Sequence, residues 1–219
     1  MKQETLEKKL QQGLNLSALM LNALGGQSDL SLSGFENPDR SVFNHLMRFL
    51  NSKGIFHEQS AKRILQELLN DNGPNNKFMD QLRIFDTFSE ADFSVYIDGL
   101  EDSFASKSAQ VVWINRVKLR KVGIRGYDIS LYVLLTRLSF TCGLITEKEL
   151  TRRVLHILPI AASLFSNWQE YNDNVILGNH YTTPTMQLDS MEILPSNNLY
   201  AAWHRMMQQE GAFVHPFKF

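Results

Sequence analysis

The feature that most constrains the fold of this chain is a succession of short amphipathic segments separated by Gly, Pro and Asn. In the first segment, over residues 5–24, leucines recur at about the 3.6-residue period of a helix, and Gly25-Gly26 follows as a stop signal. Helices this short are held only by docking their apolar faces against one another. We therefore predict a mostly α fold, a compact bundle of several orthogonally packed helices. Further helices are predicted over residues 39–52, 57–70, 76–87, 128–143, 146–159, 166–178 and 198–209.

One segment near residues 110–120 leaves its secondary structure open. Val111, Val112 and Val117 enrich it in β-branched residues, which suit a strand, whereas its apolar spacing also fits a buried helix. A short strand or hairpin there remains an alternative. The Ser- and Gly-rich stretch 27–37 reads as a linker after the N-terminal helix. We otherwise expect a single α-helical domain over residues 1–219.

Composition excludes several classes of protein. The chain has 219 residues, 43% of them apolar, so it can bury a sizeable core. Its 22 basic and 23 acidic residues create no overall field that would attract nucleic acid or an anionic membrane. A single cysteine, Cys142, excludes an internal disulfide and a cysteine-based zinc site. The mixed charges at the N-terminus are unlike a secretory signal, and no apolar run could span a bilayer. We expect a cytoplasmic protein.

Several residues predict helix ends. Thr146 and Glu149 form a capping-box pattern, flanked by Ile145 and Leu150 as a hydrophobic staple. Asp128 is placed to cap the helix that follows it. Pro159 is expected to bend or end its helix, and Ser166 with Gln169 to open the next one.

Charge is distributed in two opposite blocks. Residues 80–102 contain seven acids and one base, whereas residues 107–125 contain six bases and no acid. One interpretation is a docking face for RNA or an acidic partner, with Arg116, Arg120 and Arg125 as its binding residues. The alternative, which we favour, is that the blocks face each other or form solvated surfaces.

Motifs for catalysis and cofactors are weak. The six histidines include no pair at helical metal-ligand spacing, and no phosphate-cradling glycine loop or Gly-x-Ser-x-Gly elbow occurs. Cys142 follows a predicted helix, where the helix dipole disfavours a thiolate, so we expect an unreactive thiol. We therefore expect no cofactor and no metal site.

The C-terminal half resembles a bacterial family of unknown function, the YbeU/YbeR-like group (domain of unknown function 1266). The resemblance covers about residues 113–181 and implies an α-helical cytoplasmic protein without a settled activity. Three positions, Leu131, Val175 and Asn179, depart from the family pattern, which often has Arg, Tyr and Arg there. If those residues form a site elsewhere in the family, this chain has lost part of it. The matching positions are Gly123-Ile124, Tyr127-Asp128, Arg137, Gly143, Ile145, Glu149, Trp168, Glu170, Tyr171 and Leu177-Gly178.

The sequence is compatible with three hypotheses for function. The first, which we favour, is a non-catalytic protein-interaction or regulatory module that binds through the basic stretch 116–125 or the aromatic tail 213–219. The second is an enzyme or toxin-like effector in which the resembling residues converge in one cleft. The third is RNA binding through the basic stretch, with salt-sensitive affinity. The catalytic candidates are Asp128, Arg137 and His180, and the further binding candidates are Tyr127, Trp168 and Tyr171. For Trp168 and Tyr171 we favour simple core packing.

Overall fold

The structure, a computed structural model, describes residues 2–27, 32–183 and 196–208. Within those ranges it contains eleven helices and no strand. The predicted mostly α bundle is confirmed. The helices are α1 Lys2–Asn15, α2 Ala18–Ala23, α3 Arg40–Ser52, α4 Glu58–Leu69, α5 Pro74–Phe85, α6 Glu90–Asp98, α7 Ser103–Leu119, α8 Arg125–Thr141, α9 Glu147–Leu164, α10 Trp168–Thr182 and α11 Ser196–Gln208.

The α8 helix lies at the centre of the main hydrophobic core. Every residue from Arg125 to Ser139 is buried, and the helix contacts α2, α3, α4, α5, α9 and α10. A helix buried on all sides cannot leave its polar side chains to water, so we expect most of them to bind groups inside the protein. The polar residues of α8 are therefore candidates either for a functional site or for hydrogen bonds that hold the helices together.

A second, smaller core joins α5, α6 and α7, with contributions from α10. Phe93 of α6 stacks on Trp113 of α7, with 4.2 Å between the ring centroids and nearly parallel planes. Residues 110–120 belong to the α7 helix and its C-cap, so the strand or hairpin alternative is wrong. The reason is tertiary: Ala109 and Val112 are buried on one side of the helix, and this packing overrides the β-propensity of the valines.

The segment predicted as one N-terminal helix is two helices, α1 and α2. The chain breaks at Leu16 and Ser17, where the Ser17 hydroxyl donates a hydrogen bond to the Leu14 carbonyl oxygen. Helix α6 was not predicted, although Ser89 and Asp92 form a complete capping box at its start. Helix α11 agrees with the prediction for 198–209 within two residues.

Three predicted helix ends differ in detail. Helix α9 continues through Pro159 to Leu164, so the proline does not end it. Thr146 does accept a hydrogen bond from the Glu149 amide, but the Glu149 carboxylate binds Arg152 and Arg153 and does not complete the box. Helix α10 is capped by Asn167, whose side chain accepts from the Glu170 amide, and not by Ser166 with Gln169.

The predicted linker over 27–37 is only partly described. Residues 28–31 lie outside the described residues, and residues 32–37 form bends in which Gly34 is buried. The Leu32 carbonyl oxygen accepts a hydrogen bond from Arg137 of α8. The aromatic tail 213–219 also lies outside the described residues.

Candidate functional site

The Asp128 carboxylate caps a helix other than its own. Helix α8 begins at Arg125, three residues earlier than predicted, after a left-handed turn at Gly123 with φ of 58°. The Asp128 side chain is fully buried, and its Oδ2 accepts a hydrogen bond of 3.1 Å from the Asn75 amide at the start of α5. Burial raises the pKa of this carboxyl to about 7. The prediction that Asp128 caps α8 is wrong, because its partner comes from α5.

The Arg125 guanidinium braces the C-terminus of α4. Its Nη1 donates to the Leu68 carbonyl oxygen at 2.9 Å and its Nη2 to the Leu69 carbonyl oxygen at 2.8 Å. It also binds Asp71 at 2.9 Å and lies 3.7 Å from Asp128. A cation at the carbonyl end of a helix is electrostatically favourable. The structure thus places Arg125 inside the fold and not on an open basic surface.

Two asparagines, neither of them singled out in the sequence, complete the network at the start of α8. The Asn75 Oδ1 accepts from the Ile124 amide at 2.7 Å, and the Asn174 Oδ1 accepts from the Gly126 amide at 2.8 Å. The Asn174 Nδ2 donates in turn to the Gly123 carbonyl oxygen at 2.8 Å. These amides therefore satisfy main-chain groups that the first turn of a buried helix would leave unpaired.

Arg137 braces a different part of the molecule. Its Nη1 donates to the Leu14 carbonyl oxygen at 3.2 Å and the Ser17 hydroxyl at 3.3 Å, and its Nε donates to the Leu32 carbonyl oxygen at 3.1 Å. Burial lowers the pKa of this guanidinium to about 10. Asp128 lies nine residues earlier on α8, roughly 13.5 Å away along the axis. The two catalytic candidates therefore bind separate regions.

The aromatic candidates pack into the core. Trp168 and Tyr171 meet edge to face with 6.0 Å between the ring centroids, and both are buried. The Tyr171 hydroxyl donates a 2.7 Å hydrogen bond to the Leu16 carbonyl oxygen. Tyr127 lies directly against Gly178, where a methyl group on the glycine would overlap the tyrosine Cβ. Burial raises the pKa of both tyrosines.

His180 lies near the end of α10, where it meets α11. Its Nε2 is 3.1 Å from the Tyr200 hydroxyl oxygen, and partial burial lowers the pKa of the imidazole. A surface depression of about 300 Å³ is lined by residues between Gly25 and Val42, and none of the predicted catalytic or binding residues lines it. The single cleft predicted for the effector hypothesis does not correspond to this depression.

All three arginines of the basic stretch have partners within the protein. The Arg120 guanidinium binds Asp86 at 3.0 Å, which is the ion pair that joins the two charge blocks among the described residues. The Arg116 guanidinium lies 3.5 Å from the Trp113 ring centroid and donates to the Trp113 carbonyl oxygen. Because Phe93 stacks on the same indole, the two must occupy opposite faces of the ring.

The outer side of α7 is basic and apolar. Ile114 and Val117 are 75% and 80% exposed, and the lysines beside them form no ion pair within the described part of the chain. Their spacing places them within about a third of the helix circumference. We call this surface the α7 face. It consists of Lys107, Ile114, Val117, Lys118 and Lys121, the last just beyond the end of the helix.

Cys142 is half-buried at the C-cap of α8, and burial raises the pKa of its thiol to about 11. Among the residues that the structure describes, no group of three or more His, Cys, Asp or Glu side chains is arranged to hold a metal ion. None of the helices over the described ranges is long and apolar enough to cross a membrane.

A family model described as a protein of unknown function, DUF1266, matches residues 51–210. The chain belongs to this family. The DUF1266 match covers more than two thirds of the chain and extends on both sides of the 113–181 region that carries the resemblance in sequence. No curated protein and no protein of solved structure matches the chain. Arg137 lies inside the DUF1266 region, whereas its acceptors Leu14, Ser17 and Leu32 precede it.

Proposed function

We propose that this DUF1266 protein is a non-catalytic protein-interaction or regulatory module that binds a protein partner through the α7 face. The observation that carries the proposal is the exposure of Ile114 and Val117 between three lysines without ion pairs among the described residues. Single exposed aliphatic side chains are common on protein surfaces, but a cluster of them with a charged rim is typical of an interaction surface.

The hydrogen bonds that the catalytic candidates make within the protein support this proposal over the effector hypothesis. Asp128 and Arg137 are fully buried and bind main-chain groups of α5 and of the N-terminal segment. A catalytic residue must reach the reacting atoms of a substrate. In the described structure these two side chains reach main-chain groups of the protein itself, so their most direct role is to hold helices together.

The chemistry of the α7 face favours a protein over RNA. Recognition of phosphates relies strongly on arginine, whose planar guanidinium binds them with two hydrogen bonds. Arg116, Arg120 and Arg125 are each engaged by groups of this protein. The lysines that remain, beside two aliphatic side chains, fit an acidic and partly apolar protein surface.

The proposal is tested by site-specific photocrosslinking in the native host. A photoreactive residue in place of Val117 is expected to yield a discrete crosslinked protein product. The same residue in place of Lys148, which is also helical and exposed, is expected to yield none. Equal crosslinking at the two positions, or none at either, would contradict the proposal.

The RNA hypothesis is tested on the same surface. Fluorescence anisotropy measures the binding of a labelled single-stranded RNA. RNA binding would be supported in place of a protein partner if the affinity falls steeply with salt and is lost in Arg116→Ala.

The wider setting is part of the same proposal. We place the protein in the bacterial cytoplasm, in the YbeU/YbeR-like branch of the family, as one α-helical domain over residues 1–219. Residues 113–181 would form its family-specific core and residues 27–37 a linker. The buried contacts of Arg137 and Tyr171 with the N-terminal segment support a single domain.

A further inference from the structure

A second surface complements the α7 face in charge. Helix α6 and the turn after it expose Glu90, Asp98 and Glu101, and these acids form no ion pair among the residues described. Val95 lies one turn before Asp98 on the same helix and is 72% exposed. We call Glu90, Val95, Asp98 and Glu101 the α6 face. The other acids nearby are engaged, because Asp92 and Asp102 cap helices and Asp86 binds Arg120.

The two faces share an unusual degree of apolar exposure. Among the described residues, Val117, Ile114 and Val95 are the three most exposed large hydrophobic side chains, at 72–80%. All three lie on α6 or α7, which are consecutive helices joined by the stack of Phe93 on Trp113. Each helix thus exposes an aliphatic residue together with charges of one sign that form no ion pair among the described residues, and the sign is reversed between the two helices; of these charges, Lys118 also interacts with Asp173 of α10.

We infer that the partner of the α7 face is a second copy of this chain, whose α6 face docks against it. This inference rests on the proposed function and names its partner. Three lysines on one face meet three carboxylates on the other, and the aliphatic residues between them lose their contact with water. A partner that bound the α7 face alone would leave the exposure of Val95 unexplained.

Each copy carries both faces. A closed two-fold dimer forms when both faces of one copy meet the same neighbour, so that the contact is made twice. Helix α7 has 17 residues, or about 25 Å of length, and two neighbouring helices are about 20 Å wide. The surface buried in the dimer is then roughly 500 Å² per copy, which is near the lower limit for specific association. We therefore expect a reversible dimer that dissociates on dilution and in high salt.

The test uses two charge-reversed variants of the full chain. One carries Lys107→Glu, Lys118→Glu and Lys121→Glu, so both of its faces are acidic. The other carries Glu90→Lys, Asp98→Lys and Glu101→Lys, so both of its faces are basic. Sedimentation equilibrium measures the self-association of wild type, of each variant and of their equimolar mixture, and circular dichroism checks that each variant is folded.

The expected pattern is specific to this contact. Wild type should dimerise, each variant alone should dimerise at least about tenfold more weakly, and the mixture should recover association because opposite faces then meet in both contacts. A matched control carries the same charge change on other exposed helical positions, Lys9→Glu, Arg40→Glu and Lys148→Glu, and should dimerise like wild type.

Three outcomes would overturn the inference: a wild type that is monomeric up to high concentration, variants that still dimerise, or a mixture that does not recover. Occupation of the α7 face by a segment of the same chain, such as 184–195 or 209–219, or by a different acidic protein, would give the first of these. A separate result decides the proposed function. A monomeric wild type that still crosslinks to another protein through position 117 would retain that function and reject the dimer.

Discussion

Replacing Asp128 by Asn should remove most of the pH dependence of stability near neutrality. The Asp128 carboxyl is fully buried, with one hydrogen bond from Asn75 and the Arg125 guanidinium 3.7 Å away. Its Oδ1 has no hydrogen-bond partner in the described structure. Burial therefore outweighs both favourable contacts and raises the pKa of the carboxyl from 3.8 to about 7.

The sign of the effect follows from this shift. The folded protein holds the proton of Asp128 up to about pH 7, whereas the unfolded chain releases it near pH 3.8. The folded state thus binds more protons in that window, and the free energy of unfolding falls as the pH rises through it. A gap of about three pH units corresponds to about 4 kcal/mol, lost between about pH 4 and about pH 7 and constant above it.

The assay is urea unfolding followed by tryptophan fluorescence at several pH values between about 5 and about 8. Wild type should lose about 2–3 kcal/mol over this range, and Asp128→Asn should lose far less, because its amide does not titrate. His180, whose pKa is lowered by burial, acts in the opposite direction but equally in both proteins.

The matched control is Glu36→Gln, which changes an exposed carboxylate that forms no ion pair among the described residues, lies outside both faces and should keep the wild-type profile. Parallel profiles for wild type and Asp128→Asn would show that the buried carboxyl is not the group that titrates. The reasoning from burial would then be refuted, whatever the absolute stability of the variant.

Three further substitutions test the bracing of the core, each by urea unfolding. Tyr171→Phe leaves a main-chain carbonyl at the α1–α2 junction without its donor and should cost about 1–3 kcal/mol, whereas Tyr96→Phe, whose hydroxyl makes no hydrogen bond in the described part, should be nearly neutral. Arg137→Met removes the donor of the part-buried Leu32 carbonyl oxygen and one of the donors to Leu14, which keeps its bond from Ser17; it should cost about 1–3 kcal/mol, and an unchanged midpoint would contradict the bracing role. Gly178→Ala forces a methyl group onto Tyr127 and should cost about 1–3 kcal/mol; a stabilised variant would show that the contact is loose.

The helical class and most helix positions could be predicted from periodicity and breakers, because both are local properties. The region around Val112 could not, since its valines suit a strand and only packing against α5 and α10 decides for a helix. Helix α6 could have been found, because Ser89 and Asp92 have the spacing of a capping box.

The roles of the site residues were harder to predict, because their partners are distant in sequence. Asp128 binds Asn75, 53 positions away, and Arg137 binds Leu14, 123 positions away. Spacing within one helix carries no information about such pairs. Asn174 could have been predicted, because it lies on the same stripe of α10 as the buried Tyr171 and Gly178. A side-chain amide on a buried stripe is expected to form hydrogen bonds with main-chain groups.

The contacts of Arg137 have a consequence for how the protein can be divided. A polypeptide that began at residue 51, where the DUF1266 match begins, would keep this guanidinium but lose its acceptors Leu14, Ser17 and Leu32. It would also lose α1, which packs on α9, and α2, which packs on α8, and would so expose apolar core surface around the buried guanidinium. Excision at that border should give an aggregating fragment, so anyone trimming the protein for crystallisation should retain its first fifty residues.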